Sequence, residues 1–235
     1  MKHIVCQNAP EIAETVGQIF IDQVTQKKNS VLLLATGSSP IMTYQYIVKD
    51  YQSNHTDWSH VITFNLDEYL DLNPKFTHES YAHFMNEHLF KHINIKKENI
   101  HFPDKQKVNG VYHEIIWDKG GIDLAILGVG TNGHIAFNEP GSDLHSQTRI
   151  VELKESTRQS NAKFFGNNVD LVPTHAVTVG LEIILGAKKI VVIATGSDKA
   201  AAINHLLQAD HYNKDWPITA LFSHHNVLIV TDELK

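Results

Sequence analysis

Residues able to move protons lie in two short stretches of this chain. The first is Gly128-Val-Gly-Thr-Asn-Gly-His-Ile-Ala-Phe-Asn-Glu-Pro140, a glycine-rich run carrying Asn132, His134 and Glu139. A histidine beside a carboxylate can act as an acid–base unit near neutral pH. The carboxylate sets the imidazole tautomer and is expected to raise its pKa. The other reading is a buried loop histidine with satisfied partners, and the sixteen histidines of the chain weaken any argument from one of them. The second stretch is Asn65-Leu-Asp-Glu-Tyr69. In an extended backbone Asp67 and Glu68 point to opposite sides, and Asp67 shares the side of Asn65. A carboxylate at a strand end can serve as a general base. A solvated acidic turn is the alternative.

Two further stretches suit an anion. Thr36-Gly37-Ser38-Ser39-Pro40 follows an apolar run and precedes a helical pattern, so its glycine, hydroxyls and helix amides could cradle a phosphate or carboxylate. It could equally be an ordinary N-capped helix with Pro near its first turn. Thr195-Gly196-Ser197-Asp198-Lys199 repeats the device, since 31–38 and 190–197 both read as an apolar run ending in Ala-Thr-Gly-Ser. Lys199 begins the next helix, where its charge opposes the macrodipole unless an anion is near. A solvated lysine behind an Asp198 cap is the plainer reading. Neither turn has the GxxxxGK[ST] spacing of a nucleotide P-loop. Gly128 to Gly133 does form a GxGxxG, but Pro140 and Gly141 interrupt the helix that a dinucleotide fingerprint requires, so that reading is rejected.

All four stretches sit at the ends of predicted strands. Helical spacing predicts helices over 10–27, 41–51, 79–92, 155–165 and 198–208. Continuous apolar runs predict buried strands over 31–35, 61–66, 122–127, 189–194 and 227–231. Residues 148–153 alternate like an edge strand, 177–185 fit either element, and the first strand is placed by Val31. Strands alternating with helices imply an α/β fold: one Rossmann-like domain over 1–235, with a mostly parallel sheet and helices on both faces. Ligands of such sheets bind beyond the carboxyl ends of the strands, where the polar stretches lie.

Composition narrows the classes. The 235 residues are 42% hydrophobic and 20% charged, ordinary for a globular protein. Twenty Lys plus Arg against 26 Asp plus Glu give a formal charge of −6, which argues against a broad nucleic-acid grip. The single cysteine, Cys6, forms no internal disulfide. The N-terminus does not resemble a signal peptide, and no apolar run is long enough to span a bilayer. These features together predict a cytoplasmic protein without membrane contact. The histidines form no HExxH and have no cysteine partners, so no metal is expected.

In this order, the stretches resemble the glucosamine-6-phosphate deaminase (glucosamine-6-phosphate isomerase) family over essentially the whole chain. Asn65–Tyr69 and Leu127–Pro140 are the most specific pieces. Ser156-Thr-Arg-Gln-Ser-Asn161, Pro173–Gly180 and Thr195–Ala200 support them. The resemblance implies conversion of D-glucosamine 6-phosphate and water to D-fructose 6-phosphate and ammonia, without a cofactor, in amino-sugar catabolism. It implies Asp67 as the base moving a proton between C2 and C1, and His134 as the acid–base group for ring opening. Asn132 and Glu139 are implied as the partners of His134; some family members carry Asp where this chain has Asn132. Gly37, Ser38, Arg158 and Lys199 match phosphate-binding positions.

Longer members are hexamers with an allosteric site built partly from a C-terminal extension. This chain has Arg149 at one basic position of that site but Val151 at the next, and it stops at Lys235. A monomer or small homo-oligomer without allosteric activation is the expectation. Two alternatives accompany this reading: a 6-phosphogluconolactonase-like hydrolase, in which Asp67 has no obvious role, and a non-catalytic sugar-phosphate sensor, for which the chain shows no DNA-reading segment.

Overall fold

The computed structural model describes residues 1–234. Among the described residues ten strands run in chain order: β1 (Lys2–Val5), β2 (Val31–Leu34), β3 (Ile62–Asn65), β4 (Asp67–Tyr69), β5 (Ile100–His101), β6 (Leu124–Gly128), β7 (Arg149–Glu152), β8 (His175–Thr178), β9 (Ile190–Ala194) and β10 (Val227–Thr231). The same residues form α-helices α1 (Ala9–Gln26), α2 (Ile41–Asn54), α3 (Tyr81–His88), α4 (Val111–Asp118), α5 (Glu155–Asn161), α6 (Leu181–Leu185) and α7 (Ala200–Leu207). Seven strands form one sheet in the order β1-β10-β9-β6-β2-β3-β5. Every pairing in it is parallel. β2 and β9 are buried along their whole length, which is why they read as unbroken apolar runs rather than alternating ones. α1 begins at Asn8, whose side chain accepts the Glu11 amide at 3.0 Å, and it buries Ile12, Val16, Phe20 and Val24 on one stripe.

One end of the sheet is pinned by charge. Asp123, just before β6, accepts Lys27 Nζ at 2.6 Å, Lys188 Nζ at 2.8 Å and the Val31 amide at 2.9 Å. This knot ties the entries to β2, β6 and β9 together at their amino ends. The loops at the opposite ends are left to carry chemistry.

β4, β8 and β7 form a second, antiparallel sheet. It packs over a satellite core of Tyr69, Phe137, Leu153, Ala162, Phe165, Val172 and Ala176. The stretch around 148–153 is the edge strand β7 of this second sheet, as its alternation predicts, and the ambiguous 177–185 divides into the end of β8 and the whole of α6. Other elements differ from the sequence reading. β1 precedes Val31 as an exposed edge strand beside β10, and only tertiary pairing makes so short and wet a segment a strand. β5 and α4 carry no clear periodic signal in the sequence. The predicted helices 79–92, 155–165 and 198–208 each break into a short α-helix and a 3₁₀ turn. Among the described residues no helix is long and apolar enough to cross a membrane.

Candidate active site

The strand order locates the site. From β2 the chain adds β3 and β5 on one side, then crosses to place β6 on the other. The order reverses between β2 and β6, and the crevice expected at such a reversal lies beyond their carboxyl ends. The turn with Gly37 and Ser38 follows β2 there, and the glycine-rich stretch follows β6.

No helix opens after β6. The backbone closes a tight turn in which the Gly130 amide donates to the His134 carbonyl at 2.9 Å and the Gly133 amide to the Gly130 carbonyl at 2.9 Å. Within it, His134 Nδ1 lies 2.7 Å from Asn132 Oδ1, and Asn132 Nδ2 donates to Glu139 Oε2 at 2.8 Å. The bond directions follow from the inventory of donors. Glu139 as a carboxylate only accepts, so the Asn132 amide turns its NH₂ toward Glu139 and its carbonyl toward the imidazole. That carbonyl requires the proton on Nδ1, leaving Nε2 as the basic nitrogen. The tautomer is thus set by Asn132, with Glu139 behind it and 3.7 Å from Nδ1.

A neighbouring carboxylate by itself raises a histidine pKa. The net direction is the reverse: burial depresses the His134 pKa below its ordinary value. Glu139 opposes that, and Lys199 and Lys154 reinforce it. The amide between His134 and Glu139 weakens the compensation, and desolvation wins. An imidazole held neutral is suited to begin as a base.

The ring also needs space. A Cβ on Gly130 would lie 2.5 Å from His134 Nε2 and closer still to two other ring atoms. Only glycine at 130 lets the imidazole lie against the backbone. The far end of the stretch is anchored by side chains. Asn138 Nδ2 donates to the Ile135 and Val179 carbonyls at 3.0 and 2.8 Å, and Arg149 Nη1 donates to Asn138 Oδ1 at 2.9 Å. Arg149 therefore stiffens the His134 loop from β7.

Asp67 is the first residue of β4, paired with Thr178, and is 7% exposed. None of the described hydrogen bonds reaches its carboxyl group. Burial pushes its pKa up to about 8, with the neighbouring Glu68 charge adding to the shift. Glu68 points the other way, as alternation predicts. It accepts the amides of Tyr69, Tyr81 and Ala82, each at 2.9 Å, and so caps the first turn of α3. One acid is structural and the other is left without a partner in a dry position.

The anion stretches divide. Gly37 adopts φ +94° and is exposed with Ser38, and α2 begins without any side-chain cap. The ordinary capped-helix reading of residues 36–40 therefore fails. After β9, the Gly196 amide is taken by both carboxylate oxygens of Asp232, each at 3.1 Å, so that amide is not free for an anion. Lys199 Nζ lies 3.0 Å from Asp198, within electrostatic reach of His134. Arg158 does not stand open: Nη2 donates to the Val169 carbonyl at 2.8 Å and the Val172 carbonyl at 3.4 Å, and Nη1 lies 3.3 Å from Glu155. Thr157, beside it, carries no signal of its own in the sequence, although its hydroxyl lies 2.5 Å from Glu139 Oε1. Only its place before Arg158 in the Ser156–Asn161 stretch hinted at it. Among the described residues no group of three His, Cys, Asp or Glu side chains is arranged to hold a metal ion.

A family profile described as glucosamine-6-phosphate isomerases/6-phosphogluconolactonase matches residues 7–230. A glucosamine-6-phosphate deaminase of Mycoplasma mycoides is 45% identical over 235 residues, covering 99% of this chain and 95% of that one. Glucosamine-6-phosphate deaminase 2 of Bacillus subtilis is 43% identical over 238 residues, covering 99% and 95%. A solved structure described as a monomeric glucosamine-6-phosphate deaminase superposes with a TM-score of 0.93 at 35% identity, covering 100% of this chain and 98% of that one. A 6-phosphogluconolactonase from Thermotoga maritima superposes at 0.74 with 17% identity, covering 99% of each, a likeness of fold alone.

Proposed function

The chain belongs to the glucosamine-6-phosphate isomerase/6-phosphogluconolactonase family, and from that premise we infer that it works in the deaminase branch, in amino-sugar catabolism. The protein converts D-glucosamine 6-phosphate and water to D-fructose 6-phosphate and ammonia. The observation that carries this is full-length identity of 41–45% to deaminases, beside lactonases that share only the fold.

The roles of individual residues are our proposal. His134 Nε2, the basic nitrogen, takes the proton from the sugar O1 and delivers it to the ring oxygen as the bond between C1 and that oxygen breaks, and the pyranose opens. The aldehyde at C1 acidifies the C2 hydrogen. Asp67 removes it, a proton passes from the C2 ammonium to O1 to give an enolamine, and Asp67 returns its proton to C1, leaving a protonated imine at C2. The raised pKa of Asp67 suits a base that must also give the proton back, and a substrate ammonium at C2 supplies the opposite charge that favours the carboxylate. The resulting imine at C2 is hydrolysed by water, forming the ketone and releasing ammonia. Side chains and water accomplish every step without a cofactor.

Gly37, Ser38 and the uncapped start of α2 support a phosphate cradle, with Lys199 as a point charge across the crevice. Arg158 would join it only by exchanging its bonds to the Val169 and Val172 carbonyls. Binding energy from the phosphate, remote from C1 and C2, then fixes orientation at the reacting carbons. We further propose that the protein acts as a monomer or small assembly, without activation by N-acetylglucosamine 6-phosphate. The similarity to a monomeric deaminase and the apolar Val151 support this.

The test is ammonia release from purified protein given glucosamine 6-phosphate, beside unphosphorylated glucosamine. Release from the phosphorylated sugar alone, with fructose 6-phosphate as co-product, is expected. A folded protein that releases none overturns the assignment.

A further inference from the structure

The carboxylate behind His134 is held from two sides, and only one belongs to its own loop. Glu139 Oε2 accepts from Asn132, seven residues earlier in the chain. Glu139 Oε1 accepts the hydroxyl of Thr157 at 2.5 Å, and Thr157 lies on α5. A carboxylate with one fixed oxygen can still turn about its last bond. With both oxygens fixed it cannot, and Oε2 stays on the Asn132 side, 3.7 Å from the imidazole. Charge-assisted O–H···O⁻ bonds of this length are among the stronger ones a protein makes. α5 is also the helix of Arg158, whose guanidinium ties it to the Val169 and Val172 carbonyls.

We propose that Thr157 is a positioning residue for the acid–base unit. Its hydroxyl fixes the Glu139 carboxylate so that the relay through Asn132 to His134 Nδ1 is assembled only when α5 is docked. This rests on the role of His134 given above. It extends that role by making the relay a joint product of the β6 loop and α5, with Thr157 as the contact between them.

The consequence is electrostatic. The hydroxyl draws negative charge toward Oε1, away from the oxygen nearest the imidazole. Without it, the charge concentrates on Oε2 and the carboxylate is free to turn toward His134. The other charged groups acting on His134 are Lys199 and Lys154, which bear on it from the start of α7 and from the residue before α5. Neither touches Thr157 among the described hydrogen bonds, so both persist when its hydroxyl is removed. His134 therefore holds its proton more tightly in a Thr157→Val protein.

The experiment is titration of His134 by NMR of ring-labelled protein without substrate, the resonance being assigned by its loss in His134→Gln. Thr157→Val keeps the shape and removes the donor, whereas Thr157→Ser keeps the donor. We expect the His134 midpoint to rise by about half to one pH unit in Thr157→Val and to return to within about 0.2 unit of wild type in Thr157→Ser. An unchanged midpoint in Thr157→Val overturns the proposal, as does a rise of equal size in Thr157→Ser. In active protein, the acidic limb of kcat/KM should move upward by the same amount. The titration needs no turnover, so failure of the deaminase reading, seen as no ammonia release by wild type, is distinguishable from failure of the Thr157 proposal.

Discussion

Gly130→Ala separates catalytic geometry from folding. The residue is outside the left-handed region, so alanine costs its backbone nothing special. The new methyl carbon would stand 2.5 Å from His134 Nε2, and ordinary contact needs roughly 3.5 Å, so the ring must retreat by about 1 Å or more. Its bond to Asn132 Oδ1 is 2.7 Å long, and a retreat of that size takes it out of hydrogen-bonding range. The clash is with a side-chain ring and not with backbone, so the fold can yield there at little expense. The melting free energy should stay within about 1 kcal/mol of wild type. Catalysis should not survive as well, because a displacement of about 1 Å at a reacting group costs on the order of a hundredfold. Gly128→Ala is the control. Its Cβ would meet nothing within 4 Å, and kcat should hold within about twofold. The assay is steady-state ammonia release beside thermal unfolding of both variants. Full activity in a stable Gly130→Ala protein would refute the idea that His134 must lie against that backbone.

Asp67→Asn should reduce kcat by about a thousandfold, because it removes the proton carrier. It should also change how stability depends on pH. A buried carboxyl whose folded pKa is raised to about 8 binds its proton more tightly folded than unfolded, so wild type loses stability as pH climbs from about 4 to 8. The melting temperature of Asp67→Asn should therefore exceed that of wild type by a gap that widens up to pH 8; a constant gap across that range contradicts the raised pKa. Lys199→Ala should raise KM by about tenfold with kcat changed only a few-fold, and a pure kcat effect would remove Lys199 from the phosphate cradle. Glu68→Gln keeps one acceptor where three amides are served, and should cost about 1–3 kcal/mol in denaturant unfolding. Sedimentation should give a species near 26.5 kDa or a small multiple, and a hexamer would contradict the proposed assembly.

Local chemistry was legible in the residues themselves. Continuous apolar runs announced the buried parallel strands because such strands are covered on both faces. The Pro140-Gly141 interruption excluded a dinucleotide helix after Gly128. Alternation separated Asp67 from Glu68 before any side chain was placed. Asn132, His134 and Glu139 could be grouped because eight residues of one loop contain all three. What no local pattern carried was partnership across the chain. That Glu68 caps α3, Asp232 takes the Gly196 amide, Arg158 is spent on carbonyls and Thr157 reaches Glu139 depends on contacts between segments far apart in sequence. The direction of the His134 shift belongs to the same class. A neighbouring carboxylate is visible in the sequence, but burial is a property of everything packed around the ring, and here burial outweighs the neighbour.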